Sequence, residues 1–188
     1  MPSVDVTILI VNYNTIAMLR DCLNSISEHV KGVSYEIVVV DNASKDGSAE
    51  MVSAEFPEVH LVASQVNHGF AKGNNVGMEQ AGGEFLFYLN PDTLLLNDAV
   101  TILVNYLKKH REAGMVGPRL FLDALGRHHP SIRIFTTPND ILFRHTPGYR
   151  HYSAFREKKL VVKDRVKPVD WLVGAALMAR LDVLREVG

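Results

Sequence analysis

The first half of the chain alternates between short apolar runs and longer segments whose apolar residues fall at helical spacing. Residues 6–11, 36–40, 59–62 and Phe85–Leu89 are rich in branched or aromatic side chains and too short for helices, so the pattern predicts four buried strands. Between the first two, Leu19, Cys22, Leu23 and Ile26 mark one face of a helix, and Gly32 follows as a stop signal. Ser48–Glu55 and residues 71–81 supply two further helices, the second closed by Gly82-Gly83. Strand, helix, strand, helix, strand, helix, strand is the order of a parallel sheet covered on both faces.

In such a sheet the ligand binds outside the carboxyl ends of the strands. The polar residues gather there: Asn12-Tyr13-Asn14 after the first strand, residues 41–47 (DNASKDG) after the second, Asn67-His68-Gly69 beyond the third and Asn90-Pro91-Asp92 after the fourth. Residues 97–110 read as another helix and 115–122 hold a short strand. Residues 127–167 show no stable period and read as an irregular excursion with one helix near Ile141. Residues 169–178 (VDWLVGAALM) read as one strand and 182–186 as the start of a helix. No repeat, linker or low-complexity tract divides the 188 residues, so a single domain is expected, with 1–97 as one half and 98–188 as the other.

Composition narrows the classes. With 20 Lys and Arg against 21 Asp and Glu, no global field draws the chain to nucleic acid. Residues 144–167 are different, holding eight Lys or Arg against Glu157 and Asp164. Such a segment suits either a solvated loop or an anionic acceptor or membrane surface, which leaves peripheral membrane association open. Cys22 is the one cysteine, so no disulfide forms within the chain and a cysteine zinc site is disfavoured. A reducing, cytoplasmic setting is the simplest inference. The apolar run 6–11 is too short and lacks the basic flank of a signal peptide or a span.

Two common phosphate-binding devices are absent from the loops. Asn-Tyr-Asn after the first strand contains no glycine, so the dinucleotide fingerprint is absent and a nicotinamide dehydrogenase is a poor reading that NADH binding would revive, and residues 69–75 (GFAKGNN) do not match GxxxxGK[ST]. The stretch FLFYLNPDT offers another device: a buried strand that ends in a carboxylate. Mg²⁺ is commonly held by one or two carboxylates completed by phosphate oxygens and water, so Asp92 is the candidate metal ligand, with Asn90 two residues earlier on the same side of an extended chain. A turn in which Asp92 merely caps the next segment is the alternative.

VSYEIVVVDNASKDGS, NHGFAKGNNVG, FLFYLNPDT and VDWLVGAALMAR, in that order and spacing, resemble the family 2 glycosyltransferases of GT-A fold, and among them the rhamnosyltransferase-like members. The resemblance runs over nearly the whole chain. It implies an α/β fold with a mostly parallel central sheet and helices on both faces. It further implies inverting transfer of a sugar from a nucleotide-diphosphate donor, dTDP-rhamnose or a UDP-sugar, to a saccharide or lipid-linked acceptor in cell-surface polysaccharide synthesis. By resemblance, Val11, Asn12, Tyr13, Asn14 and Asp41 lie on the nucleobase side. Asn67, Gly69, Phe70 and Asn74 also line the nucleotide, and Asn90 contacts ribose or the metal's water. Asp92 holds Mg²⁺ or Mn²⁺ on the diphosphate. Asp170, Trp171, Gly174 and Ala175 belong to the donor-sugar or acceptor side. Asn42, Ser44 and Asp46 are expected only to shape their own turn.

Inverting transfer needs a general base for the acceptor hydroxyl. In the family this is an acid beyond the Gly-Ala strand, which places it beyond Gly188, so the chain is expected to be truncated. Asp170, His128 and His129 have no spacing that argues for the role. A non-catalytic nucleotide-binding or assembly module is therefore kept as the alternative, and the oligomeric state, a homodimer included, is left open.

Overall fold

The structure is a computed structural model that describes residues 4–122, 127, 132–133, 142, 144–146, 148–149, 151 and 166–187. His128, His129, the helix expected near Ile141 and most of the basic segment lie outside the described residues. The chain forms two compact units, Met1–Pro118 with Gly174–Gly188, and Arg119–Val173.

The first unit is built on β1 (Val6–Asn12), α1 (Ile16–His29), β2 (Tyr35–Asp41), α2 (Ser48–Glu55), β3 (His60–Ala63), α3 (Gly69–Glu79), β4 (Phe85–Leu89), α4 (Ala99–Lys109) and β5 (Met115–Val116). The second unit contributes β6 (Ile132–Arg133) and β7 (Trp171–Leu172), which pair antiparallel. The chain then returns to the first unit with β8 (Ala176–Arg180) and α5 (Leu181–Val187). The sheet order is β3-β2-β1-β4-β8-β5. β1 to β4 pair parallel with one another, while β8 enters antiparallel to both β4 and β5.

The four predicted strands and the Ser48–Glu55 helix form as expected. The run 169–178 does not form one strand: a turn at Gly174-Ala175 splits it, β7 pairing with β6 and β8 with β4. An uninterrupted apolar run gives no periodic signal for such a break.

Register sets the two faces of the sheet. Leu9, Val38, Val40 and Leu86 share one face with Ala81 and Leu181, and α3 packs there. It can approach because of glycine: a Cβ at Gly77 would stand 2.1 Å from Leu9 Cδ1 and 3.0 Å from Val40 Cγ2, and one at Gly73 would stand 2.9 Å from Val11 Cγ1. Ile8, Ile10, Val39, Phe85 and Phe87 occupy the opposite face and are fully buried. The buried stripes of α1 (Leu19, Cys22, Leu23, Ile26) and α4 (Val100, Leu103, Val104, Leu107) belong to that side of the core. α4 is opened by Asp98, which accepts from Thr101 N–H at 3.2 Å and also from the N–H groups of Lys31 and Gly32. One residue thus caps the helix and holds the α1–β2 connection beside it.

Candidate functional site

The carboxyl ends of β1, β2 and β4 lie on one edge of the sheet, and the polar loops leave from that edge. Asn12 ends β1 opposite Asp41, the last residue of β2. Both are buried, Asp41 to 3% exposure, so their polar atoms must find partners inside the protein. Asn12 Nδ2 donates to Asp41 Oδ2 (2.9 Å) and to Ser44 Oγ (3.2 Å), while Asp41 Oδ1 accepts from Ser44 N–H (2.9 Å). A carboxylate has about four lone-pair sites and these bonds occupy two, so Asp41 keeps capacity to accept from an outside donor.

The same loop binds its neighbours on both sides. Asn42, 2% exposed, donates through Nδ2 to Gly69 C=O (3.0 Å) and accepts at Oδ1 from His68 N–H (3.1 Å), which fastens the β3–α3 loop to β2. Asn67 Oδ1 accepts from Gly69 N–H at 2.8 Å, and Gly69 takes a positive φ of 74°. Asn74 Nδ2 donates back to Phe70 C=O at 3.0 Å. On the β1 side, Asn14 (φ 53°) donates its N–H to Ser44 Oγ (2.9 Å) and accepts from Lys45 N–H at Oδ1 (2.7 Å). Ala43 is held at φ 64°, a left-handed conformation that an L-residue adopts only where its surroundings demand it. Tyr13 and Phe70, 49% and 57% exposed, stand at this end as free aromatic faces. Val11 packs under α3 against Gly73.

At β4 the edge is built differently. Asn90 donates its N–H to Ala175 C=O (2.9 Å), and its C=O accepts from Thr93 N–H (3.1 Å), which makes the Asn90-Pro91-Asp92 turn. The first contact brings the Gly174-Ala175 turn beside the turn that carries Asp92, and a Cβ at Gly174 would meet nothing within 4 Å. Asp92 is exposed, and among the described residues its carboxylate has no hydrogen-bond or ion-pair partner. Its charge still reaches the interior of α1. Burial pushes the Cys22 thiol up, and the Asp92 charge adds to this, to about 12. Among the described residues no three His, Cys, Asp or Glu cluster as a metal cage. One unpartnered carboxylate fits a Mg²⁺ or Mn²⁺ ion that arrives with phosphate oxygens, the usual arrangement for a cation that keeps several waters.

Asp170 and Trp171 belong to the second unit. Trp171 is 40% exposed on β7, with its backbone paired to Arg133, so it is not a core residue. Sequence reasoning treated Asn42, Ser44 and Asp46 as local turn formers. The turn bonds do form, Asp46 accepting from Ser48 and Ser44 N–H donating to Asp41, but the three residues also bond groups 26 to 32 positions away, and the available signal was their crowding directly behind a buried strand.

Among known proteins, the chain is 26% identical over 194 residues to the low-salt glycan biosynthesis hexosyltransferase Agl10 of Haloferax volcanii, covering 98% of this chain and 55% of the relative. It is 25% identical over 168 residues to the N-acetylglucosaminyl-diphospho-decaprenol L-rhamnosyltransferase of Mycobacterium tuberculosis, covering 81% of this chain and 54% of that protein. The chain thus spans about half the length of the curated relatives it matches. Its fold is that of the mannosyltransferase PcManGT from Pyrobaculum calidifontis, solved with GDP-Man and Mn²⁺, at a TM-score of 0.64 and 20% identity over all of this chain and 48% of that one. The profile of Glycosyl transferase family 2 matches residues 7–165, which contain β2, β4, all of β1 but Val6, and the loops that follow these strands. With fold, loop order and profile in agreement, the chain belongs to glycosyl transferase family 2.

Proposed function

We propose that the chain binds a nucleoside-diphosphate sugar along the carboxyl edge of its parallel strands, as the donor part of an inverting transferase. The acceptor is a saccharide or lipid-linked saccharide of the cell surface. The observation that carries the reading is the placement of Asp41 and Asp92. Asp41 ends β2 and Asp92 follows β4, the strands on either side of β1, whose axes lie about 10 Å apart at the usual strand spacing. A nucleoside joined to its diphosphate spans such a gap.

In this reading the base lies at Asp41, Asn12 and Tyr13, with Val11, Asn14, Asn67, Gly69, Phe70 and Asn74 around it. An imide N–H of a pyrimidine donates to the acceptor-only carboxylate of Asp41. Asn90 meets the ribose. Asp92 would hold Mg²⁺ or Mn²⁺ at the diphosphate, and such a cation would supply charge stabilisation for the leaving group. The rigid strand β4 keeps Asp92 where that charge develops. Gly174 and Ala175 leave room for the sugar. A rhamnose donor and a lipid-linked acceptor are suggested by likeness to the mycobacterial rhamnosyltransferase, whose name states both, with dTDP-rhamnose or a UDP-sugar as the donors to try.

Calorimetric titration with UDP, dTDP and GDP, each with and without Mn²⁺, tests the reading. Metal-dependent binding of at least one is expected, lost in Asp92→Ala. Failure of all three to bind at millimolar concentration with Mn²⁺ present overturns it.

A further inference from the structure

Asp46 lies in the β2–α2 loop, and its carboxylate does for two helices what neither does for itself. The residues that open α1 and α2, Thr15 and Gly47, make no side-chain cap bond. Asp46 Oδ2 instead accepts from the N–H of Ile16, the first residue of α1, at 2.8 Å. Its Oδ1 accepts from Ser48 N–H at 3.1 Å and from the Ser48 hydroxyl at 2.5 Å. A carboxylate at two helix N-termini satisfies donors that would otherwise be orphaned and meets the positive ends of both helix dipoles. Burial works against the charge, but the bonds from Ser48 and from the Ile16 and Ser48 N–H groups outweigh it, so the carboxyl sits below its ordinary value.

The consequence falls on the β1–α1 loop. A helix capped by its own loop would hold that loop independently, whereas here the cap comes from 30 positions away. Two further bonds across the same gap hold Asn14 in its left-handed conformation, Asn14 N–H to Ser44 Oγ and Lys45 N–H to Asn14 Oδ1. Tyr13 sits between Asn12, fixed by Asp41, and Asn14, fixed by Ser44 and Lys45. Its exposed ring has no hydrogen-bond partner among the described residues, so its direction is set by the backbone on either side.

We propose that Asp46 is a positioning residue: by clamping the start of α1 to the β2–α2 loop, it fixes the Tyr13 ring for contact with the base of a nucleoside diphosphate. The inference rests on the donor-site reading above and deepens it, since it makes base affinity depend on a residue that never touches the base.

The test uses the full chain and whichever of UDP, dTDP or GDP binds it best with Mn²⁺, with Mn²⁺-pyrophosphate as a ligand that lacks a base. Asp46→Asn preserves size and one acceptor oxygen but cannot accept on both sides. It is expected to weaken the nucleoside diphosphate by about tenfold, the scale of one charge-assisted hydrogen bond. Pyrophosphate affinity should stay unchanged, and in a Tyr13→Ala background Asp46→Asn should cost nothing further. Equal weakening of both ligands, unchanged nucleotide affinity, or full additivity with Tyr13→Ala would each overturn the proposal. Where pyrophosphate binds too weakly to measure, the double variant decides alone. If Asp46→Asn does not fold, Asp46→Ser replaces it: a single hydroxyl can cap one helix start but cannot bridge the Ile16 and Ser48 N–H groups, and the same split is expected. A wild-type chain that binds none of the three nucleotides sinks the donor site and this inference together. A wild type that binds with an unaffected Asp46→Asn sinks the inference alone.

Discussion

The two ends of the carboxyl edge are built on opposite plans. At β1 and β2, buried Asn12, Asp41 and Asn42 are bonded to one another's loops. At β4, Asp92 stands exposed with no protein partner among the described residues. The first end is assembled when the protein folds, and its polar groups are part of what folds it. At the second, the Asp92 carboxylate adds no internal bond among the described residues, and in the proposed reading this is the end that would take a cation with phosphate oxygens. Stability and binding should therefore separate along the edge, with variants at the β4 end changing affinity and variants at the β1–β2 end changing both.

The largest effect is expected from Asp92→Ala. Metal-dependent nucleotide affinity should fall on the order of a hundredfold or more by calorimetry. The melting temperature should not fall, since no internal bond is lost. A comparable loss of stability would break the contrast between the two ends. Gly77→Ala tests the prebuilt end from beneath. Its Cβ would overlap Leu9 Cδ1 and lift α3 from β1 and β2, which should cost about 3 kcal/mol in chemical denaturation. Asn42→Ala leaves the His68 N–H and Gly69 C=O without their buried partner, at a cost of about 1–3 kcal/mol. Nucleotide affinity should fall with it as the β3–α3 loop comes free.

The smallest effect serves as a control at the opposite edge of the sheet. The Lys108 ammonium at 2.6 Å, helped by Ser34, holds the Asp5 carboxyl down to about 2. A lowered carboxylate contributes stability above its ordinary pKa near 3.9 and loses it as pH falls toward 2. For a pair this exposed the contribution is under about 1 kcal/mol. Lys108→Ala should reduce it, visible as a shallower loss of stability between about pH 4 and 2, with nucleotide binding at neutral pH unchanged.

Most of the fold was legible because it follows from local pattern. Phe85–Leu89 and Ser48–Glu55 form with the bounds that apolar composition and spacing predict. α3 starts at Gly69, ahead of its first apolar position, because Asn67 Oδ1 takes the Gly69 N–H and starts the turn. The site was legible by position, since polar residues behind buried strands must gather at one edge. Its wiring was not, because a hydrogen bond between Asn14 and Lys45, or between Asp46 and Ile16, depends on which loops the sheet order makes neighbours. The break at Gly174-Ala175 was hidden for a related reason: the partners of β7 and β8 lie far from either in sequence.

The antiparallel entry of β8 has a consequence for how the chain can be cut. Val116 on β5 pairs with Met178 on β8, so the sheet itself holds together the points where the chain leaves and returns. Residues 119–173 therefore leave and rejoin the first unit through that one pair of strands. A short type I′ turn could close that pair. The six-stranded sheet would keep all its strands, so the segment between β5 and β8 can be exchanged without cutting any of them.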